Sequence, residues 1–183
     1  AIDAGDFNGR LFLNNSSIGL YARLVVGRER LQRGSRLGKW PAMVRAGWSV
    51  LRHPRSLSLT LCVDGRDLCR RTPFVFVGNN DYVVEGAHAG ERDRLDAGAL
   101  SIYVLRPGGP WGLLLLALRA MTGRLVHGRD LDQWHATSLE IASRHAQVEV
   151  ARDGEVDAFD TPLRYRIRPR ALQVIAPPAG GSR

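Results

Sequence analysis

The feature that constrains this chain most is a succession of short runs in which apolar and polar residues alternate. Residues 57–63 alternate throughout, and the favoured tight-turn pair Asp64-Gly65 follows them directly. Beyond residue 137 the same pattern predicts consecutive strands separated by turn residues, at 138–142, 147–151, 163–168 and 171–176. Since apolar residues alternate with arginine over 163–168, we expect one face of that strand to be buried and the other exposed.

Two further strands and three helices complete the prediction. The strands are expected at 72–78 and 101–105, and the helices at 21–31, 41–52 and 110–121, where apolar residues recur at helical spacing or form one continuous run. Short strands joined by tight turns predict a mainly β fold, an antiparallel β-sandwich with a few inserted helices. We expect a single domain over residues 1–183, with a disordered tail at 177–183.

Composition excludes several classes of protein. Apolar residues make up 44% of the chain and charged residues 24%, which is typical of a folded soluble domain. The longest strongly apolar run, at 111–118, is too short to cross a bilayer, and the first residues do not resemble a secretory signal. Cys62 and Cys69 are too few for a disulfide scaffold, and we expect both to be free thiols. The sequence therefore favours a cytoplasmic location.

The positive charge is confined to one segment. The formal net charge is +8, and residues 21–55 carry nine basic side chains and one acid, while the rest of the chain is neutral. Such a segment attracts phosphate-bearing partners. Three interpretations remain open: amphipathic helices with solvated arginines, a membrane-facing surface, or a nucleic-acid site, for which no recognised motif is present. The residues of the membrane interpretation are Arg28, Arg30, Arg33, Arg36, Lys39 and Trp40.

Motifs that carry chemistry are few. The sequence contains no glycine-rich phosphate loop and no nucleophile elbow, and its five histidines are dispersed without ligand spacing. Asp153-Gly154-Glu155 places two carboxylates two residues apart, so that in an extended chain they would share a face and one could act as a general base. The alternative is an ordinary Asp-Gly turn with a solvated glutamate, and the local sequence does not choose between them.

The order of four segments resembles the C-terminal domain of the diacylglycerol kinase-like lipid kinases, a family that includes bacterial lipid kinases and sphingosine kinases. Residues 12–19 match F-x-N-x-x-S-x-G, and residues 75–80 resemble the family's strand into a Gly-Asn turn. Residues 95–104 resemble its D-G-x-L segment. Residues 153–155 match D-G-E and precede a Thr-Pro-Leu segment and a closing strand. The resemblance covers roughly residues 9–178.

The resemblance implies a β-sandwich that packs against an N-terminal nucleotide-binding domain, which this chain lacks. Lipid hydroxyl and ATP would meet in the cleft between the domains. The resemblance implies that Glu155 is the base that takes the hydroxyl proton. It implies that Asp153 assists by fixing the position of a charge or of a metal-bound water. The residues implied to line the cleft or contact substrate are Asn14, Ser17, Gly19 and Asn79.

The resemblance also implies ATP and Mg²⁺ as cofactors, with ATP bound mainly by the missing domain. The family holds a structural magnesium near its D-G-x-L turn; here Ala97 takes the aspartate's position, which leaves Asp96 as the candidate ligand. The implied partners are the nucleotide-binding domain, a lipid substrate and an anionic membrane surface, with no nucleic acid. The expected location is cytoplasmic and peripheral to the membrane. A non-catalytic lipid- or anion-binding sandwich is the alternative function.

Overall fold

The described part of the chain forms two β-sheets, and within each sheet all neighbouring strands pair antiparallel. The structure is a computed structural model, and it describes residues 1–19, 57–82, 92, 94–106, 112, 119 and 130–175. The strands in these ranges are β1 (Ile2–Phe7), β2 (Arg10–Phe12), β3 (Asn15–Gly19), β4 (Leu57–Val63), β5 (Arg66–Thr72), β6 (Phe74–Asn79), β7 (Leu100–Leu105), β8 (Leu131–Ala136), β9 (Ser138–Ser143), β10 (Gln147–Arg152), β11 (Glu155–Asp160) and β12 (Leu163–Leu172).

Each sheet contains six of these strands. The first sheet has the order β2-β1-β12-β9-β4-β5, and the second has the order β11-β10-β3-β6-β7-β8. Alternate residues of both sheets point into one shared apolar core. Its fully buried large side chains include Phe7, Phe12, Ile18, Leu61, Leu100, Ile102, Leu139, Ile141 and Leu163. The predicted antiparallel β-sandwich is therefore confirmed.

The strands with clean alternation were the ones that the sequence located correctly. Those predicted at 57–63, 101–105, 138–142 and 147–151 correspond to β4, β7, β9 and β10, and the one at 72–78 overlaps β6. The predicted helices at 21–31 and 41–52 and the tail at 177–183 lie outside the described residues. Gly112 and Arg119, the described residues of the helix predicted at 110–121, are both helical. Within the described ranges the structure contains no helix with the length and apolar character of a membrane span.

The prediction of two separate strands at 163–168 and 171–176 is wrong. They form one strand, β12, which ends at Leu172. Pro169 suggested a turn, but the chain continues through a bulge: Arg170 has a φ of 51°, and the pairing of β1 with β12 shifts register between Ile2 and Ala4. The N–H of Arg170 donates to the carboxylate of the buried Asp3 at 2.8 Å, which secures the bulge.

Three hairpins share one turn chemistry. Asn8-Gly9, Asp64-Gly65 and Asp153-Gly154 each place both residues at positive φ, as a two-residue type I′ turn requires. In each case the side-chain oxygen of the first residue accepts a backbone N–H from a neighbouring loop or strand. Since a buried or crowded N–H needs an acceptor, these turns also fasten the connections beside them.

Asp64 is the clearest example of this fastening. Its Oδ1 accepts the N–H groups of Thr137 and Ser138 at 3.1 and 2.8 Å, together with both hydroxyl groups. Burial alone would raise the pKa of this carboxyl, but the hydrogen bonds from Ser138 and Thr137 outweigh it and lower the pKa below its ordinary value of 3.8. The charged form is therefore favoured by folding.

A lowered pKa in the folded state makes stability depend on pH. Asp64 contributes stability above its ordinary pKa of 3.8, and the contribution disappears as the pH falls through the lower folded value. We expect Asp64→Asn to lower the free energy of unfolding at pH 7. The gap between the free energies of unfolding of wild type and variant should narrow below about pH 4. Urea denaturation over a pH series measures the gap, with the exposed Asp157→Asn as control. A gap that is constant with pH would contradict this account.

Candidate functional site

The Asp-Gly-Glu segment is a hairpin turn between β10 and β11. Asp153 and Gly154 are its two central residues, with φ of 46° and 96°, and Arg152 pairs with Glu155 across it. The expectation that Asp153 and Glu155 share one face of an extended strand is therefore wrong, because the chain reverses between them. The two carboxylates have different surroundings and need separate descriptions.

The Asp153 carboxylate binds the backbone of the connection between β2 and β3. Its Oδ2 accepts the N–H of Leu13 at 2.8 Å, and its Oδ1 accepts those of Asn14 and Asn15 at 2.8 and 3.2 Å. In return, the N–H of Asp153 donates to the carbonyl of Asn15 at 3.0 Å. An ionised acceptor gives the strongest hydrogen bonds of this kind. We call residues 13–15 the clamped loop; Asp153 fixes its position relative to the turn.

The clamped loop is held from its other side by side chains of the second sheet. Asn79, which is fully buried, donates its Nδ2 to the carbonyls of Leu13 at 3.0 Å and of Asp3 at 2.9 Å. The Tyr82 hydroxyl donates to the carbonyl of Asn14 at 2.9 Å, and burial raises the pKa of this phenol, so it stays a neutral donor. Both polar groups of the loop backbone, N–H and carbonyl, are thus satisfied.

Arg92 completes this arrangement. Its guanidinium donates to the carbonyl of Leu13 at 2.8 Å and to Oδ1 of Asn14 at 2.9 Å, and it lies 5.6 Å from the ring centre of Tyr82. A guanidinium over an aromatic face is a favourable pairing. Asn14 and Asn79, implied by the resemblance to line a cleft, are therefore both engaged in holding the loop.

Glu155 differs from all of these residues. It is exposed at the first position of β11, and among the described residues its carboxylate has no hydrogen-bond or ion-pair partner. A carboxylate without protein partners can accept a proton from, or a hydrogen bond with, a molecule that arrives from outside. Of the two acids in the turn, it is the one whose carboxylate no described residue engages.

The turn lies at the end of the sandwich where β1 begins. The Asn79 amide joins Asp3, near the start of β1, to Leu13, whose N–H is bound by Asp153. These contacts connect the acidic turn to the start of β1.

Ser17 and Gly19 lie away from this end. Gly19, at the opposite end of β3, pairs with Phe74 and has a φ of 98°, and a Cβ there would collide with the carbonyl oxygen of Pro73. Ser17 lies in the middle of β3, opposite Phe76 and Ala151 on the two neighbouring strands. Its Oγ is buried and has no hydrogen-bond partner in the described structure, which is unusual for a native side chain.

Asp96 does not have the surroundings of a cation ligand. Its Oδ1 lies 3.2 Å from Nε of Arg94, so an arginine already accompanies the carboxylate. The acid that holds this turn is Asp3, which accepts the N–H of Gly98 at 2.7 Å and that of Arg170 at 2.8 Å. Throughout the described ranges, no three His, Cys, Asp or Glu side chains form a group that could hold a metal ion. The contacts at Asp96 therefore do not fit magnesium.

Sequence reasoning missed several residues of this end of the molecule. Asp3, Tyr82 and Arg92 stand outside the quoted motifs or carry no periodic signal, although Tyr82 follows the Gly-Asn turn by only two residues. His135 Nε2 lies 2.6 Å from Oδ1 of Asp81, and both side chains are about half exposed. The basic residues Arg28, Arg30, Arg33, Arg36, Lys39 and Trp40, proposed to face a membrane, lie outside the described residues.

These observations define an antiparallel β-sandwich with an acidic hairpin turn at the end where its first strand begins. The chain matches the model of the YegS C-terminal NAD kinase beta sandwich-like domain over residues 32–176. Because that match covers more than half of the chain, the protein belongs to this family.

Solved structures with the same fold come from Bacillus anthracis. One, described as a diacylglycerol kinase, is 19% identical with a TM-score of 0.54, and the match covers 91% of this chain and 50% of the other. A candidate diacylglycerol kinase is 21% identical with a TM-score of 0.60, covering 92% of this chain and 53% of the other. At these identities the likeness establishes the fold, and this chain spans about half the length of each structure.

Ser16 and Ser17, neighbours on β3, provide a test of whether the buried Ser17 hydroxyl lacks a hydrogen-bond partner. Ser16 Oγ lies 3.1 Å from the hydroxyl of the buried Tyr165, whose pKa burial raises, whereas Ser17 Oγ has no partner. We expect Ser16→Ala to lower the free energy of unfolding by about 1–3 kcal/mol, because it leaves the buried Tyr165 hydroxyl without this hydrogen-bond partner. Ser17→Ala should leave stability unchanged or raise it by up to about 1 kcal/mol, because it removes an unsatisfied group. Urea denaturation compares the two, and equal losses would contradict the assignment.

Proposed function

We propose that this chain is the substrate-side domain of an ATP-dependent lipid kinase, which transfers the γ-phosphate of ATP to a lipid hydroxyl of the diacylglycerol type. The observation that carries the proposal is the asymmetry of the acidic turn. Asp153 is fully engaged by three backbone N–H groups, while Glu155, two residues on, is exposed and unpartnered among the described residues. The family membership and the kinase descriptions of the structural neighbours support the reaction class.

In this proposal Glu155 is the general base. The lipid hydroxyl oxygen forms a bond to the γ-phosphorus while the bond from that phosphorus to the leaving oxygen of ADP breaks, and the hydroxyl proton passes to the Glu155 carboxylate. Magnesium bound with ATP would neutralise the phosphate charges. Catalysis of this kind depends mostly on positioning. The contribution of this chain is a carboxylate on a turn that hydrogen bonds to the clamped loop hold in place.

Asp153 is then a positioning residue, together with the two asparagines of the network. By holding the clamped loop, Asp153 fixes the hairpin from which Glu155 projects, while Asn79 connects the loop to β6 of the second sheet and Asn14 accepts a hydrogen bond from Arg92. The Ser17 hydroxyl, buried and unsatisfied, is the group we assign to contact with a polar part of the substrate. Gly19 serves the backbone geometry of β3.

The partners follow from the same proposal. A nucleotide-binding domain of the same protein would supply the ATP site and complete the cleft beside the acidic turn. The lipid substrate resides in a membrane, so we propose a cytoplasmic protein that associates peripherally with anionic bilayers through the basic segment 21–55.

Replacing Glu155 tests the base directly. In the full-length parent, we expect Glu155→Gln to lower kcat by about 100-fold or more, with the KM for lipid changed by less than about threefold. Asp157→Asn makes the same chemical change two residues along β11 at another exposed position, and it should retain wild-type kcat. Initial rates of ATP-dependent phosphorylation of diacylglycerol in mixed micelles provide the measurement.

Two results would overturn parts of this account. Wild-type kcat in Glu155→Gln would remove Glu155 from the base role. ATP-dependent turnover by the 183-residue chain alone would contradict the division of labour between the domains, since the sequence has no phosphate-binding loop. A parent without kinase activity on any hydroxylated lipid would favour the non-catalytic lipid- or anion-binding alternative.

A further inference from the structure

An open groove of about 410 Å³ lies on the first sheet, away from the acidic turn. It is formed where β4, β5 and β9 lie side by side at the edge of that sheet. Three arginines line it and no carboxylate does. The lining residues are Ser58, Leu59, Thr60, Cys69, Arg70, Arg71, Ala142, Ser143 and Arg144.

The strand register explains how the polar groups converge. Ser58 pairs with Arg71 on β5, and Leu59 pairs with Ser143, the last residue of β9, which Arg144 follows directly. Neighbouring strands lie about 4.8 Å apart, so Arg71 and Ser143, on the two strands that flank β4, are roughly 10 Å from each other. Arg71, Arg144 and Ser58 all line the same groove.

These two arginines also differ from most of the others that the structure describes. Arg106, Arg164 and Arg168 each pair with an acid at 3.0 Å or less. Arg71 and Arg144 are exposed, and in the described part of the chain their guanidinium groups have neither an ion pair nor a hydrogen bond. The third lining arginine, Arg70, is held more firmly: it donates to its neighbour's carbonyl and lies 5.6 Å from the ring centre of Trp134.

We propose that this groove binds a phosphate group, with Arg71 and Arg144 as its charged donors and Ser58 as a neutral one. Guanidinium groups are suited to phosphate because they donate parallel hydrogen bonds to two oxygens. The Thr60 hydroxyl adds a further donor on the floor, where its only described contact is with the sulfur of Cys69, at 3.9 Å. The site lies on a different sheet from Glu155 and does not depend on the proposed kinase reaction.

The phosphate could belong to a soluble ion or to a lipid headgroup. Both present the same oxygens to the arginines, and the groove is open enough to admit either. The experiment therefore uses inorganic phosphate as the primary probe and vesicles as a competing one.

The chain itself supplies a reporter. Cys62 and Cys69 are both free, as the sequence predicted, and Cys69 is exposed in the groove, whereas hydrogen bonding to Asp67 and burial raise the pKa of Cys62. Because the thiolate is the reactive form, a neutral alkylating reagent should modify Cys69 first.

The test follows backbone amide resonances of the ¹⁵N-labelled full chain as phosphate is added, with chloride at equal ionic strength as the blank. We expect saturable shifts at Ser58, Thr60 and Ala142, and slower alkylation of Cys69 by iodoacetamide. The double variant Arg71→Ala, Arg144→Ala should raise the Kd at least about tenfold. The control, Arg166→Ala, removes an exposed arginine of β12 that lies outside this groove and should change the Kd less than about twofold.

Vesicles of phosphatidylcholine doped with phosphatidate distinguish the sources. If they protect Cys69 and compete with inorganic phosphate, the ligand is a headgroup; if phosphate alone binds, it is a soluble ion. The proposal is overturned if phosphate and chloride shift the same amides equally, or if the double variant binds as tightly as wild type. It is also overturned if Arg166→Ala weakens binding as much as the double variant does, since that result would mean diffuse charge attraction.

Discussion

Three consecutive backbone N–H groups need an acceptor at the end of this sandwich, and one carboxylate supplies it. Leu13 and Asn14 lie in the connection between the two sheets and Asn15 begins β3, and the N–H groups of all three residues are bonded to the same side chain. The Asp153 side chain accepts all three. Without it, the hairpin after β10 and the connection after β2 would lose the hydrogen bonds that attach them to each other.

This constraint separates the tasks of two acids that look equivalent in sequence. An aspartate in a type I′ turn has a short side chain, which reaches the neighbouring backbone; Asp64 makes the same kind of contact in another hairpin of this protein. The glutamate that follows Gly154 begins a strand and points its longer side chain to solvent. The Asp-Gly turn is therefore both an ordinary structural device and the support of a free carboxylate, and the two interpretations of the motif are compatible.

The sequence was informative where local chemistry decides the outcome. Strict alternation located β4, β7, β9 and β10, and the Asp-Gly pairs located the turns after β4 and β10, because each signal depends on the residues themselves. It failed where partners distant along the chain decide. β11 reads as an irregular polar stretch, since it is an edge strand with mostly exposed side chains, and β12 continues through Pro169 because Asp3 holds the bulge.

The candidate site shows the same limit. Motif order pointed to Asp153, Glu155, Asn14 and Asn79, and the structure brings Asp153, Asn14 and Asn79 into one network. Their individual tasks depend on contacts spanning more than sixty residues of sequence, which no local pattern encodes. For the same reason Tyr82 and Arg92, which donate hydrogen bonds to the clamped loop, gave no signal in the sequence.

The central claim is that the Asp153 carboxylate holds the clamped loop, and hydrogen exchange at three amides tests it most directly. In the wild-type chain the N–H groups of Leu13, Asn14 and Asn15 should exchange slowly, because each is bonded to that side chain. In Asp153→Ala we expect these three amides to exchange at least about tenfold faster, while core amides such as that of Ile102 keep most of their protection. Unchanged protection at residues 13–15 in the variant would contradict the account.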